Sequence, residues 1–229
     1  MSSPVISRRH RTEEIQREVV VGPLRLAGDL RVPAGASALV VFAHGSGSSR
    51  LSPRNTAVAT ALNEQGIATL LFDLLTADEE LDRANVFDIP LLAERLIDAV
   101  GWIVDQPELA GLHLGLFGAS TGAAAALVAA AKLGERVGAV VSRGGRPDLA
   151  DTALDNVTAP TLFIVGGRDA GVIELNERAY ARLRCRKSLE IVPGATHLFP
   201  EPGAMEAVIA LAGGWFKAYL VRTSPDHVQ

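Results

Sequence analysis

From residue 38 onward, short runs of apolar residues alternate with longer segments in which apolar residues recur every three or four positions. An apolar run without polar alternation is typical of a strand buried on both faces, as in a parallel sheet covered by helices. Strands that alternate with helices indicate right-handed crossovers and one doubly wound sheet. The predicted strands of this sheet are residues 38–43, 67–72, 112–117, 137–142, 160–165 and 188–192. The predicted helices are residues 53–65, 91–106, 123–132, 149–156, 173–183 and 202–221.

Two further strands precede this pattern. Residues 18–21 and 24–32, separated by the turn pair Gly22-Pro23, predict an antiparallel hairpin at one sheet edge. We therefore expect a polar N-terminal tail over residues 1–17, a single domain over residues 18–222 and a C-terminal tail over residues 223–229. The connection after residues 137–142 is too short for a cap domain, so we expect an open site. We interpret the acidic connection over residues 74–90, which contains Glu79 and Glu80, as a solvated loop; the alternative is a segment that partly covers the site.

The composition of the 229 residues, with 48% apolar and 21% charged residues, is typical of a soluble globular protein. A net charge of −4 gives no reason to expect nucleic acid or an anionic membrane as a partner. We expect no cofactor and no metal, since no such motif occurs. The N-terminus lacks the apolar stretch of a secretory signal, and the single cysteine, Cys185, suits a reducing cytoplasm. The sequence leaves open whether the chain is a monomer or a homodimer.

The stretch most informative about function is Gly118-Ala119-Ser120-Thr121-Gly122, between a predicted strand and an alanine-rich predicted helix. Its G-x-S-x-G pattern is that of a nucleophile elbow. A serine on so tight a turn takes a strained backbone conformation, and glycines two residues away avoid collisions where strand and helix approach. The pattern alone also fits an ordinary strand–helix turn, so the rest of the chain has to decide.

A catalytic serine needs a base and a third group that orients the base. His197 follows the last predicted strand, and Asp169 follows the strand at residues 160–165, so both lie at the carboxyl edge of the sheet with Ser120. An ordinary turn or helix cap is the alternative role for Asp169. The fallback acids are Asp148, Asp151 and Asp155. The other histidines are less suitable: His10 and His227 in the tails, His113 at the opposite edge, and His44, to which we assign a structural role.

Acyl transfer also needs N–H donors for the developing oxyanion. We predict the backbone N–H of Thr121, which follows the serine, and that of Ser46 in the loop after the strand at residues 38–43, with Gly47 as second choice. Arginines near the site can bind an anionic substrate group, although solvated loop arginines are the alternative. The substrate-binding candidates are Gly47, Arg50 and Arg143, with Arg146 as a further rim arginine.

Four motifs in this order resemble an α/β-hydrolase: residues 44–47, 118–122, 166–169 and 194–197. The compact length without a cap is most similar to the dienelactone hydrolase family, over about residues 24–220. That family carries cysteine where this chain has Ser120, and the serine resembles carboxylesterase-like members instead. We therefore predict a serine hydrolase that cleaves small carboxylic esters or lactones through an acyl-enzyme. Acyl transfer to peroxide or an alcohol, and a non-catalytic binding protein, are the alternatives.

Overall fold

An eight-stranded sheet forms the centre of the fold in this computed structural model, which describes residues 13–221. The strands are β1 (Ile15–Val21), β2 (Leu26–Val32), β3 (Ala38–Ala43), β4 (Ala68–Phe72), β5 (His113–Ala119), β6 (Val137–Arg143), β7 (Thr161–Gly166) and β8 (Lys187–Val192). Their order across the sheet is β1-β2-β4-β3-β5-β6-β7-β8. Strand β2 is antiparallel to both of its neighbours, and all other adjacent strands are parallel. The predicted mostly parallel sheet with an edge hairpin is confirmed.

Helices cover both faces of the sheet. They are α1 (Pro53–Glu64), α2 (Ala77–Glu80), α3 (Arg83–Phe87), α4 (Ile89–Val104), α5 (Thr121–Leu133), α6 (Ala170–Arg182) and α7 (Ala204–Leu220). Helices α1 and α7 share one apolar cluster with the sheet, and α4, α5 and α6 contribute to the cluster on the other face. Across residues 13–221, none of these helices combines the length and the apolar character needed to cross a membrane.

Helix α7 approaches the sheet closely where β5 and β6 each carry a glycine. A Cβ atom at Gly115 would lie 2.7 Å from Leu220 Cδ1 and 2.8 Å from Phe216 Cε1, and one at Gly138 would lie 2.8 Å from Leu220 Cδ2. Because these two positions carry no side chain, Phe216 and Leu220 pack directly against the backbone and are fully buried.

The edge hairpin is longer than the sequence indicates. Strand β1 begins at Ile15, which pairs with Val32 at the end of β2, so residues 15–17 of the predicted tail belong to a strand. The ladder extends because every residue of β2 has a partner in β1. Residues 1–12 of the predicted N-terminal tail and the whole predicted C-terminal tail lie outside the described residues.

The interpretation of residues 74–90 as a solvated loop is wrong in part, because the segment contains helices α2 and α3 and buries Leu74 and Leu75. Its polar residues act as helix caps. Thr76 and Glu79 form a reciprocal capping box, and Asp82 Oδ1 accepts a hydrogen bond of 2.8 Å from the Ala84 N–H. Residues 74–90 are therefore an ordered segment, which we call the wall after β4. After β6, by contrast, only three residues, 144–146, precede the 3-10 helix Pro147–Asn156, and no cap domain is inserted there.

Candidate active site

Ser120 occupies the sharp turn between β5 and α5, with φ 51° and ψ −121°. A non-glycine residue in this region is strained by about 1–3 kcal/mol, and such strain clusters at functional sites. The flanking glycines permit the turn. A Cβ atom at Gly118 would lie 2.6 Å from the Gly122 carbonyl oxygen, and one at Gly122 would collide with the carbonyl oxygens of Ala43 and His44. The steric reason predicted for the two glycines is confirmed.

Backbone contacts from two other loops hold the serine in place. The Ser120 N–H donates to the Arg143 carbonyl at 3.2 Å, and the Ser120 carbonyl accepts from the Arg146 N–H at 3.1 Å. Gly45 lies on the other side, where an added Cβ would be 3.0 Å from Ser120 Cβ. The loop after β3 and the loop after β6 thus both touch the elbow, as parallel strands that end at one edge require.

His197 and Asp169 form a direct pair, with 2.6 Å between His197 Nδ1 and Asp169 Oδ2. Asp169 stands at the N-cap position of α6, yet its side chain makes no capping hydrogen bond. The carboxylate is therefore used for the imidazole, and the alternative role as a helix cap is wrong. Because a carboxylate accepts, Nδ1 carries the proton and Nε2 is left with a free lone pair, which is the tautomer that a general base needs.

The loop after β6 brings this pair next to the elbow. A Cβ atom at Gly144 would lie 3.5 Å from both Cε1 and Nδ1 of the His197 ring, and Gly144 directly follows Arg143, which binds the Ser120 N–H. In the described part of the chain, the hydrogen bonds of Ser120 are made by its backbone. Hydrogen bonds of a catalytic hydroxyl often tighten only when substrate binds.

The remaining candidate acids are engaged elsewhere. Asp148 forms an ion pair with Arg146 at 2.8 Å, and Asp151 and Asp155 pair with Arg182 at 3.4 and 2.9 Å. These pairs leave Asp169 as the acid that reaches His197.

The two predicted oxyanion donors lie side by side. Thr121 is the first residue of α5, where backbone N–H groups have no intrahelical partner. The Ser46 N–H donates to Thr121 Oγ1 at 2.9 Å, so the two predicted residues touch, but the Ser46 donor is already occupied. Gly47, the second choice, is exposed in the same turn with φ 68°. An oxyanion would have to share or displace the Thr121 hydroxyl to use the Ser46 N–H.

His44 has the structural role that we assigned to it. Its Nε2 accepts from the Leu74 N–H at 3.1 Å, and its Nδ1 donates to the Gly45 carbonyl at 3.1 Å. Burial lowers the pKa of His44, with smaller opposing effects from the Gly45 hydrogen bond and from Asp73. The neutral imidazole therefore ties the loop after β3 to the connection after β4.

Arg50 is engaged by two carboxylates, which corrects our prediction that it binds an anionic substrate group. Its Nη1 donates to Asp73 Oδ2 at 2.7 Å, and its Nε forms an ion pair with Asp29 Oδ2 at 3.2 Å. Because two carboxylates neutralise this guanidinium, it is not available for an anionic substrate. The hydrogen bond and the charge of Asp73, opposed by burial, raise the pKa of Arg50.

A cavity of about 600 Å³ adjoins the elbow. The loop after β3 and the first turn of α1 form its polar side, and the wall after β4 forms its apolar side. Its polar lining includes Ser46, Gly47, Ser48, Ser49, Ser52, Arg54 and Thr121, and its apolar lining includes Leu74, Leu75, Val86 and Leu92. Thr121, the residue directly after Ser120, belongs to this lining.

Arg143 lies beneath the elbow and not on the site rim. The residue is 6% exposed, and its Nη2 donates to Asn55 Oδ1 in α1 at 3.3 Å. Burial, with a smaller contribution from the charge of Arg54, lowers the pKa of Arg143 to about 10. Arg54 was not predicted as a site residue. Its position in the first turn after the glycine-rich loop was the signal for it.

Asn176 is a second residue that sequence reasoning missed. Its Nδ2 donates to the Gly145 carbonyl at 3.0 Å and so holds the loop that touches both Ser120 and His197. Asn176 lies in α6 without a motif around it, so only the folded chain reveals this contact. Among residues 13–221, no cluster of three or more His, Cys, Asp or Glu could hold a metal ion.

A strained serine between strand and helix, with an aspartate-bonded histidine at the same edge of a parallel sheet, is typical of the α/β-hydrolase class. The sequence profile of the alpha/beta hydrolase domain matches residues 36–207, and the chain belongs to this family. The predicted fold and superfamily are confirmed.

The chain is similar to three further proteins. The crystal structure of a dienelactone hydrolase from Anabaena variabilis is 55% identical with a TM-score of 0.86, and covers 92% of this chain and 100% of that one. A Mycobacterium tuberculosis protein provisionally named a phosphoribosyl transferase is 60% identical over 94% of this chain and 48% of its own length. The chain thus spans about half the length of the curated relatives it matches. Est1E from Butyrivibrio proteoclasticus, at 17% identity, 90% and 99% coverage and a TM-score of 0.75, shares the fold.

Proposed function

We propose that this α/β-hydrolase is a serine hydrolase of small carboxylic esters or lactones. The observation that carries the proposal is the 2.6 Å pair between His197 and Asp169, made by a carboxylate that does not cap its helix. The strained Ser120 at the neighbouring elbow supplies the nucleophile. Similarity to the Anabaena protein named dienelactone hydrolase favours small ester and lactone substrates.

The proposed reaction has two halves. His197 Nε2 takes the proton of Ser120 Oγ as this oxygen attacks the acyl carbon, and then gives the proton to the leaving alkoxide. Water next attacks the acyl-enzyme, with His197 again accepting a proton, and Ser120 leaves as its hydroxyl. Asp169 holds the Nδ1–H tautomer and stabilises the imidazolium that forms in each half.

The oxyanion of each tetrahedral intermediate is proposed to bind the Thr121 N–H and a donor from the loop after β3. The Ser46 N–H donates to Thr121 Oγ1 at 2.9 Å, so it is held beside the elbow and is shared with the oxyanion during reaction. Gly47 is the second candidate because it lies in the same turn and lines the same cavity.

Acyl transfer is the second candidate function. The same triad would pass the acyl group to an alcohol or to peroxide if that nucleophile replaced water, and the cavity of about 600 Å³ next to the elbow has room for one. The name of the Mycobacterium relative refers to a chain about twice as long. We propose acyl transfer rather than phosphoribosyl transfer, because a serine with an aspartate-bonded histidine supports acyl chemistry. If an added alcohol receives part of the acyl group in place of water, the result would favour acyl transfer over hydrolysis.

We place the reaction in the cytoplasm. Cys185 is a free, half-buried thiol whose pKa is raised by burial, and it is the only cysteine of the chain. A thiol of this kind is compatible with a reducing compartment.

Replacing Ser120 with alanine tests the proposal. Turnover of short-chain 4-nitrophenyl esters should fall by about a thousandfold or more, as is usual when a triad nucleophile is lost. Ser188→Ala is the matched control, because Ser188 Oγ donates to Glu190 in β8, away from the elbow. Activity of Ser120→Ala within about a factor of two of the wild type would overturn the assignment.

A further inference from the structure

Arg143 is a buried charge without a counter-charge. The residue is 6% exposed, and among the described residues it pairs with no carboxylate. Nη2 reaches the neutral Asn55, and both Nε and Nη1 are buried without a hydrogen-bond partner. An isolated buried cation is costly, so proteins normally pair such a group or give it a function.

Arg54 increases this excess of positive charge. It directly precedes Asn55, which accepts the hydrogen bond from Arg143 Nη2, and its charge contributes to the lowered pKa of Arg143. Within residues 13–221 it makes no ion pair. Its Nε is buried and unpartnered, while the side chain as a whole is half-exposed. Two neighbouring guanidinium groups thus share one region without an anion between them.

Arg54 borders the reaction centre from two sides. It lines the cavity of about 600 Å³ that also contains Ser46 and Thr121. It also lines a groove of about 290 Å³ with Leu198 and Phe199, the residues directly after His197. A group bound by Arg54 would therefore lie within reach of an acyl chain attached to Ser120.

Three acidic residues line these two cavities, and none of them neutralises the arginines. Glu80 lines the larger cavity, but it belongs to α2 in the wall after β4, whereas Arg54 belongs to α1. Glu201, in the groove, binds the Thr196 hydroxyl at 2.7 Å and the Thr196 N–H at 3.1 Å. Glu206 is exposed on the first turn of α7. None of the three forms an ion pair with either arginine within the described chain.

We propose that Arg54 and Arg143 form an anion subsite, and that the enzyme prefers esters whose acyl part carries a carboxylate or a related anionic group. Arg54 contacts the anion directly. Arg143 acts from beneath, as an uncompensated charge in a medium of low dielectric constant, where its attraction is weakly screened. The inference rests on the proposed ester hydrolysis and specifies its substrate class.

Substrates that differ only in acyl charge test the subsite. The probes are the mono-4-nitrophenyl ester of adipate and the same compound with its carboxylate methylated, which share a leaving group. A third probe, 4-nitrophenyl 5-phosphonopentanoate, separates carboxylate from phosphonate recognition. The variants are Arg54→Gln, which removes the charge, and Arg54→Lys, which keeps it. Arg178→Gln is the control, since Arg178 is exposed on α6 and, among the described residues, forms its ion pair with Glu174.

The wild type should favour the carboxylate ester over its methylated partner by about tenfold or more in kcat/KM, the usual value of a hydrogen bond to a charged group. Arg54→Gln should bring this ratio to about one, chiefly by raising KM for the carboxylate ester. Arg54→Lys should restore part of the ratio, and Arg178→Gln should retain all of it. A neutral ester preferred by the wild type, or a ratio unchanged in Arg54→Gln, overturns the subsite.

Failure of the subsite and failure of ester hydrolysis are distinguishable. If the neutral ester is hydrolysed in a Ser120-dependent way and the charge ratio is one, only the subsite is refuted. If no ester is hydrolysed, the subsite is tested by calorimetry, which measures the binding of monomethyl adipate to Ser120→Ala protein. Its Kd should rise about tenfold or more when Arg54→Gln is added; an unchanged Kd refutes the subsite.

Discussion

Asp169 shows how much a single residue can and cannot reveal from sequence. Its place after a strand and before a helix predicts either a cap or a catalytic acid, and only the 2.6 Å contact with His197 separates the two. Arg50 shows the limit. Its partners Asp29 and Asp73 come from two other segments, so the direction of its side chain could not be derived from the loop around it.

Replacing Asp169 with asparagine should lower kcat/KM for a short-chain ester by about a thousandfold or more, because the amide no longer holds His197 in the Nδ1–H tautomer or stabilises its positive charge. Steady-state kinetics with a neutral ester measures the effect. Asp155→Asn is the control, since Asp155 pairs with Arg182 in the exposed part of the molecule, and it should change kcat/KM by less than about twofold. A larger loss of kcat/KM in Asp155→Asn than in Asp169→Asn would refute the assignment of Asp169 as the acid.

At the level of elements, the loop after β3 and the wall after β4 act as one unit through His44. Its two ring nitrogens bond to Leu74 and Gly45, so the loop with Ser46 is fixed to the segment that forms the apolar side of the cavity. The sequence predicted the strands, the helix α1 and the structural role of His44. It did not predict that α2 and α3 are ordered, because short helices depend on caps and tertiary contacts and have weak periodicity.

His44 should make the stability of the protein depend on pH. Burial lowers its pKa in the folded state below the ordinary value, so the unfolded chain binds the proton first as the pH falls below about 6.5. The neutral ring makes its full contribution to the free energy of unfolding above that pH. This contribution falls on acidification, by at most about 1.4 kcal/mol per pH unit.

The measurement is urea unfolding of the wild type and of His44→Gln at pH 8 and pH 5.5. His44→Gln should be less stable at pH 8 because the contact with Leu74 is weakened, but it should lose less stability than the wild type between the two pH values. The other titrating groups are the same in both proteins and cancel in the comparison. An equal loss in both proteins would contradict the account.

At the level of the whole molecule, the candidate triad is assembled by topology. Ser120, Asp169 and His197 follow β5, β7 and β8, and parallel strands deliver all three to one edge. That is why the order of strands and motifs in the sequence sufficed to predict the fold and to place the three candidate residues at one edge of the sheet. The length of the edge hairpin and the packing of α7 against Gly115 and Gly138 depend on contacts between distant segments, and these could not be read from local patterns.

Covalent labelling by a fluorophosphonate probe tests the central claim most directly, since the probe reacts with a serine only when a base and an oxyanion site activate it. We predict one adduct per chain in the intact mass spectrum of the wild type, mapped to the peptide that contains Ser120, and none in Ser120→Ala. A wild-type protein that remains unlabelled, or a Ser120→Ala protein labelled equally well, would contradict the proposal that Ser120 is an activated nucleophile.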